Sequence, residues 1–238
     1  MAQPYFETNA SIQTYRNEDA FAVLKEDGSV VTWGYGGSDD SSSVSTPLSE
    51  GVIAVYSTTY AFAALKNNGS VVTWGYDVSG GDSSSVAESL SGGVTAVYST
   101  AYAFAALKND GSVVTWGYGG SGGYSTYVSS FLSDGVVSIS STDEAFAALK
   151  DDGSVVTWGW LLANYYNDTF TPASSSSLSE GVVAIYSASR AFAALKSDGS
   201  VVSWGYQGAG DSSAVSEYLS EGVVAIYSSG NAFAAVKE

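Results

Sequence analysis

The stretch AFAALKNDGSVVTWG, Ala103 to Gly117, decides the fold because it recurs along the whole chain. Near-copies stand at AFAVLKEDGSVVTWG from Ala20, AFAALKNNGSVVTWG from Ala61, AFAALKDDGSVVTWG from Ala145 and AFAALKSDGSVVSWG from Ala191, with a shortened AFAAVKE from Ala232. Those starts lie 41, 42, 42, 46 and 41 residues apart. Such a period marks a repeat architecture, in which one supersecondary unit buries its apolar faces only by stacking on its neighbours. The chain of 238 residues therefore reads as one domain, 1–238, with units at approximately 11–50, 51–92, 93–134, 135–180 and 181–221 and a partial unit at 222–238.

Each unit opens on a glycine and a short β-branched run, GVIAVYS from Gly51, GVTAVYS from Gly93, GVVSISS from Gly135 and GVVAIYS from Gly181 and Gly222, which predicts a first strand. SIQTY, Ser11 to Tyr15, is its degenerate first copy. AFAALK predicts the second strand. The tripeptides EDG, NNG, NDG, DDG and SDG suit a turn closed by a left-handed glycine, and SVVTW or SVVSW returns as the third strand. Alternation is poor, as in sheets buried on both faces, and the alanines let neighbouring sheets approach closely. After Trp-Gly comes a connector such as GGDSSSVAESLSGG, in which Asp82, or Asp211 in the fifth unit, suits the start of a helical turn with Val86 and Leu90 on one face. An outer fourth strand is the alternative.

The pattern V-x-x-V followed by A-L-x-x-D-G-x-V-x-x-W-G is carried in the third unit by Val94, Val97, Ala106, Leu107, Asp110, Gly111, Val113, Trp116 and Gly117, and it resembles the RCC1 repeat. The resemblance implies an all-β fold, a β-propeller of three-stranded antiparallel blades, and a habit of binding other proteins. Thr100 and Ala103 stand where that family has glycine and histidine, so its nucleotide-exchange activity on a small GTPase is not carried over. First and second strands occur in six copies, third strands in five. A six-bladed ring is expected, its last blade completed by residues 1–10 through Gln3 to Thr8 pairing beside Ala232 to Lys237, with five blades as the alternative. An edge left open would instead recruit a second molecule.

Composition narrows function. With Lys+Arg 8 against Asp+Glu 24 the formal charge is −16, which opposes nucleic acid and anionic membrane surfaces and favours basic protein partners. Cys and His are both absent, removing thiolate ligands, the usual neutral-pH base and the commonest transition-metal ligand. No cofactor or metal is expected. No apolar run approaches membrane-spanning length, and MAQPYFETNA lacks the basic and apolar regions of a secretory signal, so a cytoplasmic or organellar-lumen setting is expected.

Carboxylates such as Asp39, Asp40, Asp82 and Asp211 sit where caps are wanted. The tryptophans Trp33, Trp74, Trp116, Trp158 and Trp204 suit a core between blades, and the lysines Lys25, Lys66, Lys108, Lys150, Lys196 and Lys237 suit a ring solvating the hairpin tips. Two residues past each tryptophan stand Tyr35, Tyr76, Tyr118, Trp160 and Tyr206, which a ring would display at one rim. The fourth connector is longer and holds Tyr165, Tyr166, Asn167 and Asp168. An insertion in one unit maps to a loop on one face of an array, often the binding face. These nine residues are the candidate contact site. The chain is expected to be a non-catalytic interaction scaffold or a subunit of a larger assembly, binding other proteins or its own copies; a multivalent carbohydrate-binding module using the rim aromatics is the alternative.

Overall fold

The AFAALK segments form the middle strands of a series of antiparallel sheets, because each is bracketed by a β-branched run before it and a glycine-closed hairpin after it. The computed structural model describes residues 13–35, 44–160, 176–205 and 209–238. Blade one comprises β1 (Gln13–Arg16), β2 (Ala20–Leu24) and β3 (Val30–Gly34), and blade two β4 (Val52–Ser57), β5 (Ala61–Lys66) and β6 (Val71–Gly75). Blade three has β7 (Val94–Ser99), β8 (Ala103–Lys108) and β9 (Val113–Gly117), and blade four β10 (Val136–Ser141), β11 (Ala145–Lys150) and β12 (Val155–Gly159). β13 (Val182–Ser187), β14 (Ala191–Lys196) and β15 (Val201–Gly205) make blade five. β16 (Val223–Ser228) and β17 (Phe233–Lys237) make a two-stranded blade six. The result is a six-bladed β-propeller array in which successive first strands adjoin along the inner side.

Register explains how the blades interlock. Phe104 lies opposite Trp116 and Ala105 opposite Thr115, so Phe104 and Trp116 share one face while Ala103, Ala105 and Leu107 occupy the other. The two rings stack with centroids 5.2 Å apart. That aromatic face packs on Ala61, Ala63 and Leu65 of the preceding blade, and the alanine face of blade three receives Phe146 and Trp158 of blade four. Large rings need a partner surface without side chains of their own size, and alanine supplies it. The same exchange joins blade one to two and four to five.

Hairpin turns carry the second linkage. Gly111 has φ +77, and a Cβ there would lie 2.7 Å from the Gly135 nitrogen, so only glycine fits. The Gly111 carbonyl accepts the amide of Val136, the first residue of the next blade, at 3.0 Å. Within the turn, Asp110 Oδ1 accepts the Ser112 amide at 3.0 Å and its hydroxyl at 2.6 Å. Hydrogen bonds from these serines hold the carboxyls of Asp27, Asp110, Asp152 and Asp198 below the usual range. Asn68 makes the same two bonds to Ser70 in blade two, with no charge.

The connectors are helical, as short 3-10 turns rather than a fourth strand among the described residues. Asp82 Oδ1 accepts the amide of Ser84 at the start of one turn, and Asp211 does the same for Ser213. Leu90, at the end of that connector, is buried between blades two and three. Trp116 Nε1 donates to the Gly80 carbonyl of the preceding connector at 3.0 Å, and Trp158 Nε1 to Gly122 at 3.1 Å. Two expectations change. Trp33 is not core: it is 48% exposed against 3% for Trp116, because among the described residues no blade packs on its face. The lysines do more than solvate turns, since Lys66 and Lys237 donate to the connector carbonyls of Pro47 and Tyr218, and Lys150 lies 3.4 Å from Asp134. Only Lys25 pairs with a turn carboxylate among the described residues, Asp27 at 3.8 Å. The segment Gln3 to Thr8, proposed to complete blade six, lies outside the described residues.

Two outcomes follow for stability. Trp116→Ala opens a cavity between two blades and is expected to cost about 3–5 kcal/mol, whereas Trp33→Ala is expected to cost less than about 1 kcal/mol; chemical denaturation of both variants checks the contrast. Because the turn carboxyls are depressed in the folded state, their stabilisation is fully present above the unfolded aspartate value and is lost as pH falls through the lower folded one. Asp110→Asn keeps the two hydrogen bonds, as Asn68 does. It is expected to melt like the parent at pH 7 and to lose less than the parent on acidification, read from melting temperatures at pH 7 and below pH ~3.

Candidate functional site

Between the first and second strands of each blade lies a short loop, and the loops of successive blades are bonded in series. The Glu18 amide donates to the Thr59 carbonyl at 3.1 Å, Thr59 to Ala101 at 2.8 Å, Ala101 to Asp143 at 2.8 Å, Asp143 to Ser189 at 2.9 Å and Ser189 to Gly230 at 2.9 Å. This ladder of five bonds joins six loops, and five of them surround a shallow bowl of about 540 Å³, lined by 57–59, 99–101, 141–143, 187–189 and Ser229. Its walls are serine, threonine and alanine with one carboxylate, Asp143.

In the first four blades a side chain braces the loop, Asn17, Thr58, Thr100 and Thr142 in turn, whereas Ala188 stands at that place in blade five. Thr100 Oγ1 accepts the Ala103 amide at 3.0 Å and donates to the Ser121 carbonyl of the connector at 2.9 Å, so one hydroxyl ties loop, strand and connector together. Thr58 bonds in the same way to Ala61 and Ser79. Asn17 takes the amide-accepting role in blade one, receiving Ala20 at 2.7 Å.

The residue ending each loop, immediately before the Ala-Phe-Ala of the second-strand segment, is Asp19, Tyr60, Tyr102, Glu144, Arg190 and Asn231 in turn. Its carbonyl receives the amide of the residue two past the tryptophan: Tyr35 to Asp19 at 2.8 Å, Tyr76 to Tyr60 at 3.0 Å, Tyr118 to Tyr102 at 2.9 Å and Trp160 to Glu144 at 2.8 Å. Tyr35, Tyr76, Tyr118 and Trp160 therefore lie at the same end of the blades as the bowl. Tyr35, Tyr76 and Tyr118 are exposed and Trp160 is partly buried. Tyr206 and the insertion residues Tyr165, Tyr166, Asn167 and Asp168 lie outside the described residues.

Four tyrosines form a row there. Tyr76 approaches Tyr60 at 6.1 Å between centroids, Tyr60 stacks beside Tyr102 at 6.3 Å, and Tyr118 meets Tyr102 edge-on at 6.5 Å. Tyr60 OH lies 3.1 Å from Glu18, and that bond, with the charge of the carboxylate, raises the phenol above its ordinary value. Further round, burial raises the Glu144 carboxyl, opposed by the nearby Arg190. Sequence reasoning missed Tyr60, Tyr102, Glu144 and Arg190. The signal was present: within strands and turns that barely differ between units, this position changes in size and charge, as Asp19, Tyr60, Tyr102, Glu144, Arg190 and Asn231.

The arrangement offers aromatic and hydroxyl contacts. Among the described residues no group of three or more His, Cys, Asp or Glu is placed to hold a metal ion. Among the same residues no helix is long and apolar enough to cross a membrane.

No family model matches the chain, and no curated protein sequence matches it. Solved structures do resemble it. Yeast RCC1 (Prp20) in complex with Kap60 aligns over 95% of this chain and 66% of its own, with 14% identity and a TM-score of 0.50. The ectodomain of the Physcomitrella patens receptor kinase CR4 aligns over 85% of this chain and 52% of its own, at 16% identity and a TM-score of 0.48. Prp20p of Saccharomyces cerevisiae, in a structure concerned with its binding to Gsp1p and histones, aligns over 81% and 57%, at 16% identity and 0.47. The chain thus spans between half and two thirds of the length of these proteins; the likeness to RCC1 in the complex with Kap60, at a TM-score of 0.50, agrees with the propeller fold.

The bowl's bracing makes one testable statement. Thr100→Val keeps the shape but strands the buried Ala103 amide and the Ser121 carbonyl, at an expected cost of about 1–3 kcal/mol, while Thr100→Ser, which keeps the hydroxyl, is expected to cost less than half of that; equilibrium unfolding of the two variants reads the difference.

Proposed function

We propose that the protein is a non-catalytic interaction scaffold that binds other proteins through the bowl end of the propeller, with the row Tyr76, Tyr60, Tyr102 and Tyr118 as its aromatic contact and Glu144 and Arg190 as charged neighbours. The observation that supports this reading is the variable residue before each second strand. In units whose strands and turns barely differ, packing dictates nearly every position, and the freedom at Asp19, Tyr60, Tyr102, Glu144, Arg190 and Asn231 falls on one exposed end. Tyrosine gives large contact area with little rotamer entropy and a hydroxyl that stays satisfied at a wet edge, which suits a protein interface. Partners named with the structural neighbours, Kap60, Gsp1p and histones, are proteins, and the fold lends itself to such surfaces. The net charge of −16 favours partners with a basic surface. The insertion carrying Tyr165, Tyr166, Asn167 and Asp168, together with Tyr35, Trp160 and Tyr206, would extend the contact around the same end.

The test is capture of proteins from the native source on the immobilised chain, compared with the double variant Tyr60→Ala, Tyr102→Ala, alongside titration with a glycan panel. A discrete protein partner whose affinity falls at least about tenfold in the double variant, and weakens with salt, is the expected result. Capture indifferent to the double variant would overturn the assignment of the site. Glycan binding lost in the same variant would replace the reading by a carbohydrate-binding one.

A further inference from the structure

The two ends of the array are unlike each other and carry the two halves of the contact that joins every internal pair of blades. Blade one presents the aromatic half. Phe21 and Trp33 stack at 5.6 Å as their counterparts do, yet Phe21 is 42% and Trp33 48% exposed, while Phe62, Phe104, Phe146 and Phe192 are fully buried. Blade six presents the alanine half. Phe233 is packed toward blade five, which leaves Ala232, Ala234 and Val236 on the outer face, with Val236 46% and Tyr227 65% exposed. Tyr56 and Tyr98, the counterparts of Tyr227, are partly buried in the internal clusters.

We propose that these end faces bind each other between copies, so that the chain assembles head to tail, the aromatic face of one molecule seated on the alanine face of the next. A second copy is the occupant because its complementary half is already built, and the new contact would continue the interfaces that run through each molecule. Three details fit. Within the internal clusters the leucine of one blade groups with an alanine of the next: Leu24 with Ala64, Leu65 with Ala106, Leu107 with Ala148 and Leu149 with Ala194. At the ends both members change together, to Val236 on the alanine face and Val23 on the aromatic face, so the smaller residue meets the larger one. Among the described residues the loop ladder also ends at Gly230 and Glu18: the Gly230 amide is the donor position and the Glu18 carbonyl the acceptor position for one more rung. Finally, the two faces do not cover each other within one molecule, as their exposure shows.

The intermolecular contact is smaller than an internal one. Blade six has no third strand among the described residues to supply the counterpart of Val71, and no connector leucine such as Leu90. Like charges of −16 also repel. Assembly is therefore expected to depend on concentration and to strengthen with salt, and a heterologous contact of this kind grows past the dimer.

Sedimentation velocity on the full chain over about a hundredfold range of concentration, at low and high salt, tests this. Two variants complete it: Trp33→Asp blocks one face and Ala234→Asp the other, both at exposed positions, with circular dichroism confirming the fold. The wild type is expected to grow beyond dimers, more so in salt. Each variant alone is expected to remain monomeric, and an equimolar mixture of the two to stop at a dimer, since only one intact pair of faces remains. A wild type that stays monomeric throughout would overturn the proposal, as would growth that survives in both single variants or a mixture that forms no dimer.

Discussion

The seating of one blade's phenylalanine and tryptophan on the preceding blade's alanines is the interaction on which the rest of the molecule depends. A three-stranded sheet of five- and six-residue strands cannot bury both faces by itself, and here both faces of the middle strands are buried only because neighbours supply the covering surface. Phe104 and Trp116 are buried to a few per cent by a surface of Ala61, Ala63 and Leu65. Any larger side chain at those alanines would hold the blades apart and break the three other linkages that have tight geometry: the turn glycine against the next blade, the loop ladder, and the tryptophan Nε1 bond to the preceding connector.

Because the contact is directional, an array of such blades has two different ends. Stability is then shared among nearest-neighbour interfaces rather than residing in one central core, and the terminal blades, each with one uncovered face, are the weakest members. The same geometry leaves one side chain of each loop free of packing between blades. The strands and turns carry the packing, the loop threonines brace the backbone, and the side chain that ends each loop is left to vary in size and charge. The residues that pack and the residues that vary are thus separated along each unit of about 42 residues.

Much of this was legible in the chain. The period, the strand order within a unit, the glycine-closed hairpin and the incomplete sixth blade follow from residues whose local physics admits little else, such as the left-handed Gly111 and the connector Leu90. The aromatics Tyr35, Tyr76 and Tyr118 were found because they repeat. Tyr60, Tyr102, Glu144 and Arg190 were not, since a search guided by repetition discounts the position that differs. The β-bulge in the first strands of blades two to six, which leaves Ile53, Val137, Val183 and Val224 exposed, also escaped, because a β-branched run gives no sign of a one-residue slip in register. Nor does sequence distinguish a tryptophan with a preceding blade from one without: Trp33 and Trp116 sit in the same motif.

Hydrogen exchange resolved by blade, on dilute protein, tests the central claim most directly. If neighbouring blades hold one another, the amides of Ala61–Lys66, Ala103–Lys108 and Ala145–Lys150 exchange slowest and together, with those of Ala20–Leu24 and Phe233–Lys237 opening first. Equal protection in all six blades, or independent exchange of each, would contradict an array stabilised by the aromatic-on-alanine contact.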